Sequence, residues 1–348
     1  MDAKILLSFL FKLYFMHPKS PFIFAFFNLV VAWLPAAAQQ SKEDSVRKVH
    51  DYMAVQAALR YPLLRMFTVE VETAGSVHYT SKLYGKDFLN GRIQPRGLEK
   101  VAFRYPVYTH GSQEISVAAA YISQETVLKN TVNQLPETPI SDGTYTLRNL
   151  SFALTYRRTD SLFHKSILWG GTLLTNSSLQ SSLTRATGVF FGMVPLKRTR
   201  TTRISAGLLV FIDPSSLIPV IPTFSYWHKF AGSPWEISLD LPTDVFLRRP
   251  VFSKGLFSIG TELAGNNLLR EVDLPALRGG FAIKDLDLKS GFTLEYPVFR
   301  KMLIGCGGGL LWTTQYRVQD PGKGNNDYAI GIKRNPGPYF NINISLLK

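Results

Sequence analysis

Few residues in this chain are placed to do chemistry. His110-Gly111-Ser112 sets an imidazole two positions from a hydroxyl, the pairing that a base-activated nucleophile needs. The triplet falls where a short turn is expected, and turn solvation is the preferred account of it. His78, His164 and His228 have no Ser or carboxylate at a spacing that would share one strand face. Asp285-Leu286-Asp287 puts two carboxylates at i and i+2, as paired-acid catalysis or calcium ligation would require. A charged lining with Lys284 or Lys289 as salt partner explains the same pattern. Gly305-Cys306-Gly307-Gly308-Gly309 lacks the Lys-Ser/Thr of a phosphate loop. Glycines inside a strand instead admit close backbone approach or a bulge. Cys306 is the single cysteine, which excludes a disulfide framework, a Cys-rich zinc site and a CxxC motif. No catalytic residue, cofactor or metal is expected.

The elements that would position such groups follow from composition. The 348 residues are 45% hydrophobic, 13% aromatic and 18% charged, with mean hydropathy +0.03. The aromatic content excludes a disordered chain. Past the first 40 positions no apolar run approaches the ~20 residues of a spanning helix. The formal charge is +14, yet no basic run carries interleaved aromatics, so no nucleic-acid partner is expected. Lys197 to Arg203 reads as a basic rim cluster.

The first 38 residues read as a signal peptide. Pro21 to Leu34 is an uncharged apolar run behind His17 and Lys19, and Ala36 and Ala38 are the small residues a signal peptidase requires. A second apolar run, Ile5 to Met16, fits either a true start at Met16 or a paired-helix anchor. Residues 39–62 read as a short lead-in helix: Ser41 and Asp44 form a capping box, and Val46, Val49, Met53 and Ala57 make one apolar stripe that ends before Pro62. A peripheral helix is preferred to a plug.

From residue 63 the apolar period is two. Leu286, Leu288, Phe292, Leu294 and Tyr296 share a face opposite Asp287, Lys289, Gly291, Thr293 and Glu295, with Ser290 out of place. Leu150, Phe152, Leu154 and Tyr156 alternate with Ser151, Ala153, Thr155 and Arg157, and Phe340, Ile342, Ile344 and Leu346 with Asn341, Asn343 and Ser345. Such segments are strands with one oily and one polar side. Several reach the ~9–11 residues of a tilted spanning strand. Tyr105, Tyr108, Tyr226, Trp227, Trp235, Tyr296, Phe299 and Tyr339 lie near strand ends, as interfacial aromatics do. A closed sheet is the β solution in hydrocarbon; a soluble sandwich is the fold-level alternative.

Pro-aliphatic-aromatic segments recur at Pro62, Pro106, Pro250 and Pro297. The last three, with 160–164, 197–200 and 231–234, are expected as short turns on one rim. Residues 125–143, 265–274 and 318–336 are expected as long loops on the other. Candidate spans near 66–82, 98–106, 113–124, 145–158, 165–176, 186–196, 201–212, 218–229, 235–241, 243–249, 254–264, 285–297, 302–315 and 337–347 give about 14 strands, or 12 if the region around Pro242 forms one span.

This pattern over 63–348 resembles bacterial outer-membrane β-barrels, in particular the uncharacterised barrels of Bacteroidota-type bacteria. The resemblance implies an all-β, closed antiparallel transmembrane barrel of about 12–14 strands in the outer membrane of a Gram-negative cell, in contact with lipid and lipopolysaccharide. Pro338 to Lys348 is similar to the terminal strand that such barrels present to the barrel assembly machinery, although it ends in Lys348 instead of an aromatic residue. The resemblance brings no activity with it.

The expected lumen lining is Glu70, Glu72, Arg104, Arg157, Asp240, Asp287, Lys289 and Glu295. Both signs occur, which suits a salt-bridged filled interior or a solvated channel; the net positive charge leans towards anionic solutes. The leading expectation is a non-enzymatic pore or small-solute transporter. A structural or binding barrel with a filled lumen is the alternative, and a lipid-modifying enzyme using His110 and Ser112 a weaker one.

Overall fold

In a computed structural model of the chain the described residues are 45–94, 96–135, 140–162, 165–213, 216, 218–252, 254–274, 277–299, 301–320, 322–324 and 326–347. The expected signal peptide and capping box, Met16 and His164 lie outside them. A helix, α1 (Ser45–Arg60), and a single 3-10 turn, Pro62–Leu64, lead into strands. These are β1 (Arg65–Ala74), β2 (Val77–Leu83), β3 (Lys86–Ile93), β4 (Arg96–His110), β5 (Gln113–Asn133), β6 (Gly143–Leu162), β7 (Lys165–Ser178), β8 (Thr184–Arg198) and β9 (Thr202–Ile212). They continue as β10 (Val220–Lys229), β11 (Glu236–Leu241), β12 (Asp244–Val251), β13 (Gly255–Leu274), β14 (Leu277–Phe299), β15 (Met302–Gln319), β16 (Tyr328–Arg334) and β17 (Gly337–Leu347).

The sheet closes. β1 pairs antiparallel with β17 on one side and β4 on the other, while β2 pairs with β16 and β3. Thus β1 with β2, β3 with β4, and β16 with β17 are each one wall strand broken by a short irregularity, and the wall is a 14-strand antiparallel barrel. Closure excludes the soluble sandwich, whose sheets keep free edges. It also answers the 12-or-14 question: β11 and β12 are separate strands joined at 242–243.

Registered partners share a face, so the rows can be read around the wall. Phe67, Phe103, Ala119 and Phe152 form one such row. Phe103, Phe152, Leu173, Phe190, Leu208, Trp312 and Phe340 are all exposed, the oily rows facing outward. Ser290, the residue that broke the alternation, lies on this outer face with its hydroxyl 3.0 Å from that of Thr261 on β13. Two polar groups that would be costly in lipid satisfy each other.

Aromatics ring the outside at Tyr105 and Tyr108, and Trp169 contacts Tyr156 at 5.8 Å and Phe190 at 6.4 Å between ring centroids. Two of the expected interfacial residues face inward. Trp227 shares a row with Arg203 and Ser238, and Tyr339 is buried beside Lys289.

Pro106, Pro250 and Pro297 lie near the ends of β4, β12 and β14, just before the short turns expected there, and Pro62 opens the 3-10 turn. After Pro106 and Pro297 the register skips Val107 and Val298, and Pro195 is followed by the same skip at Leu196. A residue without an N–H precedes each bulge, where the ladder is already interrupted.

The two rims also differ in another way than expected. Residues 125–133 and 265–274 are strand, not loop. The asymmetry lies in wall height: β5, β6, β13, β14 and β15 have 18 to 23 residues, but β11 and β12 only 6 and 8. No helix among the described residues is long and apolar enough to cross a membrane.

Candidate functional site

The interior of the barrel is the candidate site, and three groups of side chains organise it. In the first, Lys289 of β14 reaches across to Glu72 of β1 at 2.5 Å, with the two side chains 7% and 1% exposed. Asn341 of β17 donates to Glu70 at 3.2 Å. Glu262, opposite Lys289 in register, joins the group, and Lys289 lies 5.7 Å from the Tyr339 ring. A buried lysine is tolerable here because carboxylates surround it; removing its partner would leave an uncompensated charge. Gly305 and Gly307 make room for this ladder, since a Cβ at either would lie within 2.8 Å of Asn343 or Asn341 side-chain atoms.

The second group lies nearer the rim that bears the barrel's two ends. Arg157 of β6 bonds Glu114 of β5 at 2.5 Å, and Arg104 of β4 is in electrostatic reach of both.

In the third group α1 enters the same mouth. Val55, Ala58 and Leu59 are buried against Leu256, Leu303 and Leu347. Arg60 pairs with Glu236 of β11 at 2.7 Å, and Arg65 with Glu295 of β14 at 2.8 Å. Arg65 also donates to the Ala58 carbonyl at 3.1 Å, and Arg248 to the Arg60 carbonyl at 3.4 Å. Cations therefore satisfy the helix C-terminus, where carbonyls lack partners. The expected peripheral helix is instead seated in the barrel mouth, and the buried stripe is not the expected one: Met53 is 66% exposed.

At the far rim the wall folds inward. β13 pairs with β12 only as far as Glu262, and Leu263 donates to the Thr243 carbonyl. Beyond that point the free edge of β13 crosses to β6 and β7. The Asn149 carboxamide accepts the Leu269 N–H at 2.8 Å and donates to the Leu269 carbonyl at 3.4 Å; Asn176 donates to the Asn267 carbonyl at 3.2 Å.

This contact closes β13, β14, β15, β16, β2, β3, β5 and β6 into a smaller ring. Its inside is an apolar core that includes Tyr79, Phe88, Leu147, Leu268, Phe281 and Val318. The upper half of the barrel is thus filled on one side and left with a low wall, β7 to β12, on the other.

The remaining expected residues fall outside these groups. Asp240 faces inward at the low wall, opposite Ser225 and Asp244. Asp287 is buried opposite Ala264 and Thr313, while Asp285 accepts the Asn266 N–H at 2.9 Å. Lys284 lies on the other face of β14, towards Arg185 and Asp213. Among the described residues no three His, Cys, Asp or Glu side chains gather as a metal site. His110 ends β4 at the rim against the Tyr108 ring, 6.3 Å away, and Cys306 is on the outer face opposite Leu294 and Ile342. Sequence reasoning missed Arg60, Arg65, Glu114, Glu236, Arg248 and Glu262. Of these Glu114, Glu236 and Glu262 had a local signal, their places in the alternation of Ile115 and Val117, of Ile237 and Leu239, and of Thr261 and Leu263.

No family model and no curated protein matches this chain. Solved structures similar to it include the translocator domain of the autotransporter NalP from Neisseria meningitidis, at 9% identity over 86% of this chain and 98% of that one, TM-score 0.31. The P. putida toluene transporter TodX gives 9%, 83%, 90% and 0.34. The outer membrane protease OmpT from Escherichia coli gives 10%, 81%, 97% and 0.26. At such scores these likenesses carry no argument, and the fold rests on the strand pairing itself.

Proposed function

We propose that the chain is a bacterial outer-membrane barrel, exported by its first 38 residues, that passes small solutes through a gated lumen without catalysing a reaction. The short-turn rim would face the periplasm, as in single-chain barrels. β17, which closes the wall against β1, would present the assembly signal, and the exposed aromatic rows would contact lipid and lipopolysaccharide.

One observation carries the transport reading. The material that closes the interior stands apart from the closed ladder: α1 is held by the Arg60–Glu236 pair, by bonds from Arg65 and Arg248 to its last carbonyls and by a small apolar contact, and the β13 edge by asparagine side chains beside the apolar core. Attachments of this kind can be released while the 14-strand ladder stays intact.

Planar-bilayer recording tests this reading. The wild-type protein is expected to conduct rarely, and Arg60→Ala with Arg65→Ala to conduct steadily. Silence from both would refute transport. That result would favour the second reading, a filled structural or binding barrel, which the apolar core of the upper half supports.

A further inference from the structure

The two closures cover different strands, and the difference marks a route. At the short-turn mouth, α1 is seated against β11 to β15, β17 and β1 through Glu236, Arg248, Leu256, Glu295, Leu303, Leu347 and Arg65. At the far rim, the inward fold and its core occupy β2, β3, β5, β6 and β13 to β16. Strands β8, β9 and β10 belong to neither set, β7 meets the inward fold at its far-rim end through Asn176, and the four are consecutive in the wall.

Their inner face has a distinct chemistry. Outward rows on these strands are fixed by exposed Leu173, Phe190, Leu208 and Phe224, so the alternate residues face in. Those inner rows combine hydroxyls such as Thr172, Ser205 and Thr223 with apolar groups such as Phe191 and Leu209. Charge occurs only at the two ends. Arg185 pairs with Asp213 towards the far rim, and Arg203 stacks 5.3 Å over Trp227 near the other. The interior ion pairs described above sit on other strands, and the carboxylate that borders the sector is Asp240 of β11, opposite Ser225.

Resting on the transport reading, the geometry points to a passage along β7–β10 selective for neutral solutes that carry hydroxyl or carbonyl groups on a small apolar frame. An ion moving between the charged ends of this sector would shed water with no counter-charge on the strands that line it, and the penalty for that is large in a low-dielectric interior. A neutral solute would exchange water for the hydroxyls and cover the apolar residues. This replaces the anionic preference suggested by net charge, which counts groups that are paired or lie off the route.

Single cysteines test the route, because Cys306 is the only native one. In a Cys306→Ala background, Ser205→Cys and Thr223→Cys lie on the sector, Ala120→Cys on the inner face of β5, and Leu208→Cys on the lipid face. Each is kept only if it shows the heat-modifiable gel mobility of a folded barrel. At 205 and 223 a neutral methanethiosulfonate is expected to react at least tenfold faster than cationic or anionic reagents of similar size, and faster than it does at 120. Equal rates for charged and neutral reagents, or faster reaction at 120 than at 205 and 223, would overturn the inference.

Swelling of proteoliposomes in arabinose against sodium gluconate separates the two proposals. Thr223→Trp should slow arabinose entry several-fold and Leu208→Trp should not. Neutral-selective labelling without swelling keeps the neutral sector and removes transport. Swelling with no distinction between sectors does the reverse.

Discussion

The side chain of Asn149 takes both backbone groups of Leu269, as an adjacent strand would. A carboxamide presents one acceptor and one donor in the geometry of a peptide unit, so a single wall residue continues the ladder where β13 has left β12. Both residues are buried, at 1% and 2% exposure. The inward fold at the far rim therefore depends on a polar contact between segments 120 positions apart.

Asn149→Leu should loosen that fold without breaking the barrel. The substitution leaves a buried N–H and carbonyl without partners, a cost of about 1–3 kcal/mol for each group. Hydrogen exchange in nanodiscs is expected to show lost protection at 267–271, with the β1–β17 closure unchanged. Unaltered protection at Leu269 would mean that packing alone holds the hairpin.

Lys289 and Glu72 supply a double-mutant cycle. Lys289→Ala strands a buried carboxylate and should destabilise the folded barrel by about 3–5 kcal/mol, whereas Lys289→Met with Glu72→Gln should recover most of that loss. Urea unfolding in lipid vesicles, followed by the gel shift of the barrel, reads both. A double variant as unstable as the single one would show that the pair is not the source.

How much of this was legible in the sequence depends on which environments each strand meets. Where one face points out of the barrel and the other into the lumen, polarity alternates, and the spans from 66–82 to 337–347 each correspond to a wall strand. Past Gly265 the β13–β14 hairpin meets protein on its buried faces and solvent at Asp273 and Arg278. The alternation dissolves into Asn266, Asn267, Arg270 and Glu271, so strand reads as loop. Interior partners leave no local trace: Glu72 and Lys289 are separated by 217 positions, and Arg65 and Glu295 by 230. The α1 stripe was misplaced because Val55, Ala58 and Leu59 are buried by the end of the helix entering the mouth, not by its length lying on a surface.

Acid should loosen the far-rim end of β5. The Asp142 carboxylate accepts the N–H of Thr131 at 2.8 Å and of Asn130 at 2.9 Å, and Asn130 holds a left-handed φ of 52°. These bonds, that to Thr131 first, hold the Asp142 carboxyl below the usual aspartate range. A depressed pKa stabilises the folded loop above the unfolded value of about 3.9, and the contribution fades as pH falls through the lower folded value. Exchange protection of Asn130 and Thr131, measured from pH 6 to pH 2.5, should fall in that window. In Asp142→Asn that pH-dependent step should disappear; its persistence would assign the titration to another group.

Arg65 should be the residue on which α1 depends most. It is buried, bonds the Ala58 carbonyl and pairs with Glu295, so it ties the helix C-terminus to β14 at the same point where the chain enters β1. Arg65→Ala leaves Glu295 beside the helix without its cation, a loss of about 3–5 kcal/mol for a buried pair. Arg60→Ala should matter less, since Arg248 stands opposite the buried Glu236 in register and keeps a cation beside it. Limited proteolysis of vesicle-embedded protein, with protease on the short-turn side, is expected to cleave within 45–60 readily in Arg65→Ala, slowly in Arg60→Ala and least in wild type. Arg65→Lys should restore part of the protection, because it keeps the charge but not the fork that reaches both partners. Equal cleavage in all four proteins would show that the apolar contact of Leu59 with Leu256 and Leu303, and not the ion pair, seats the helix.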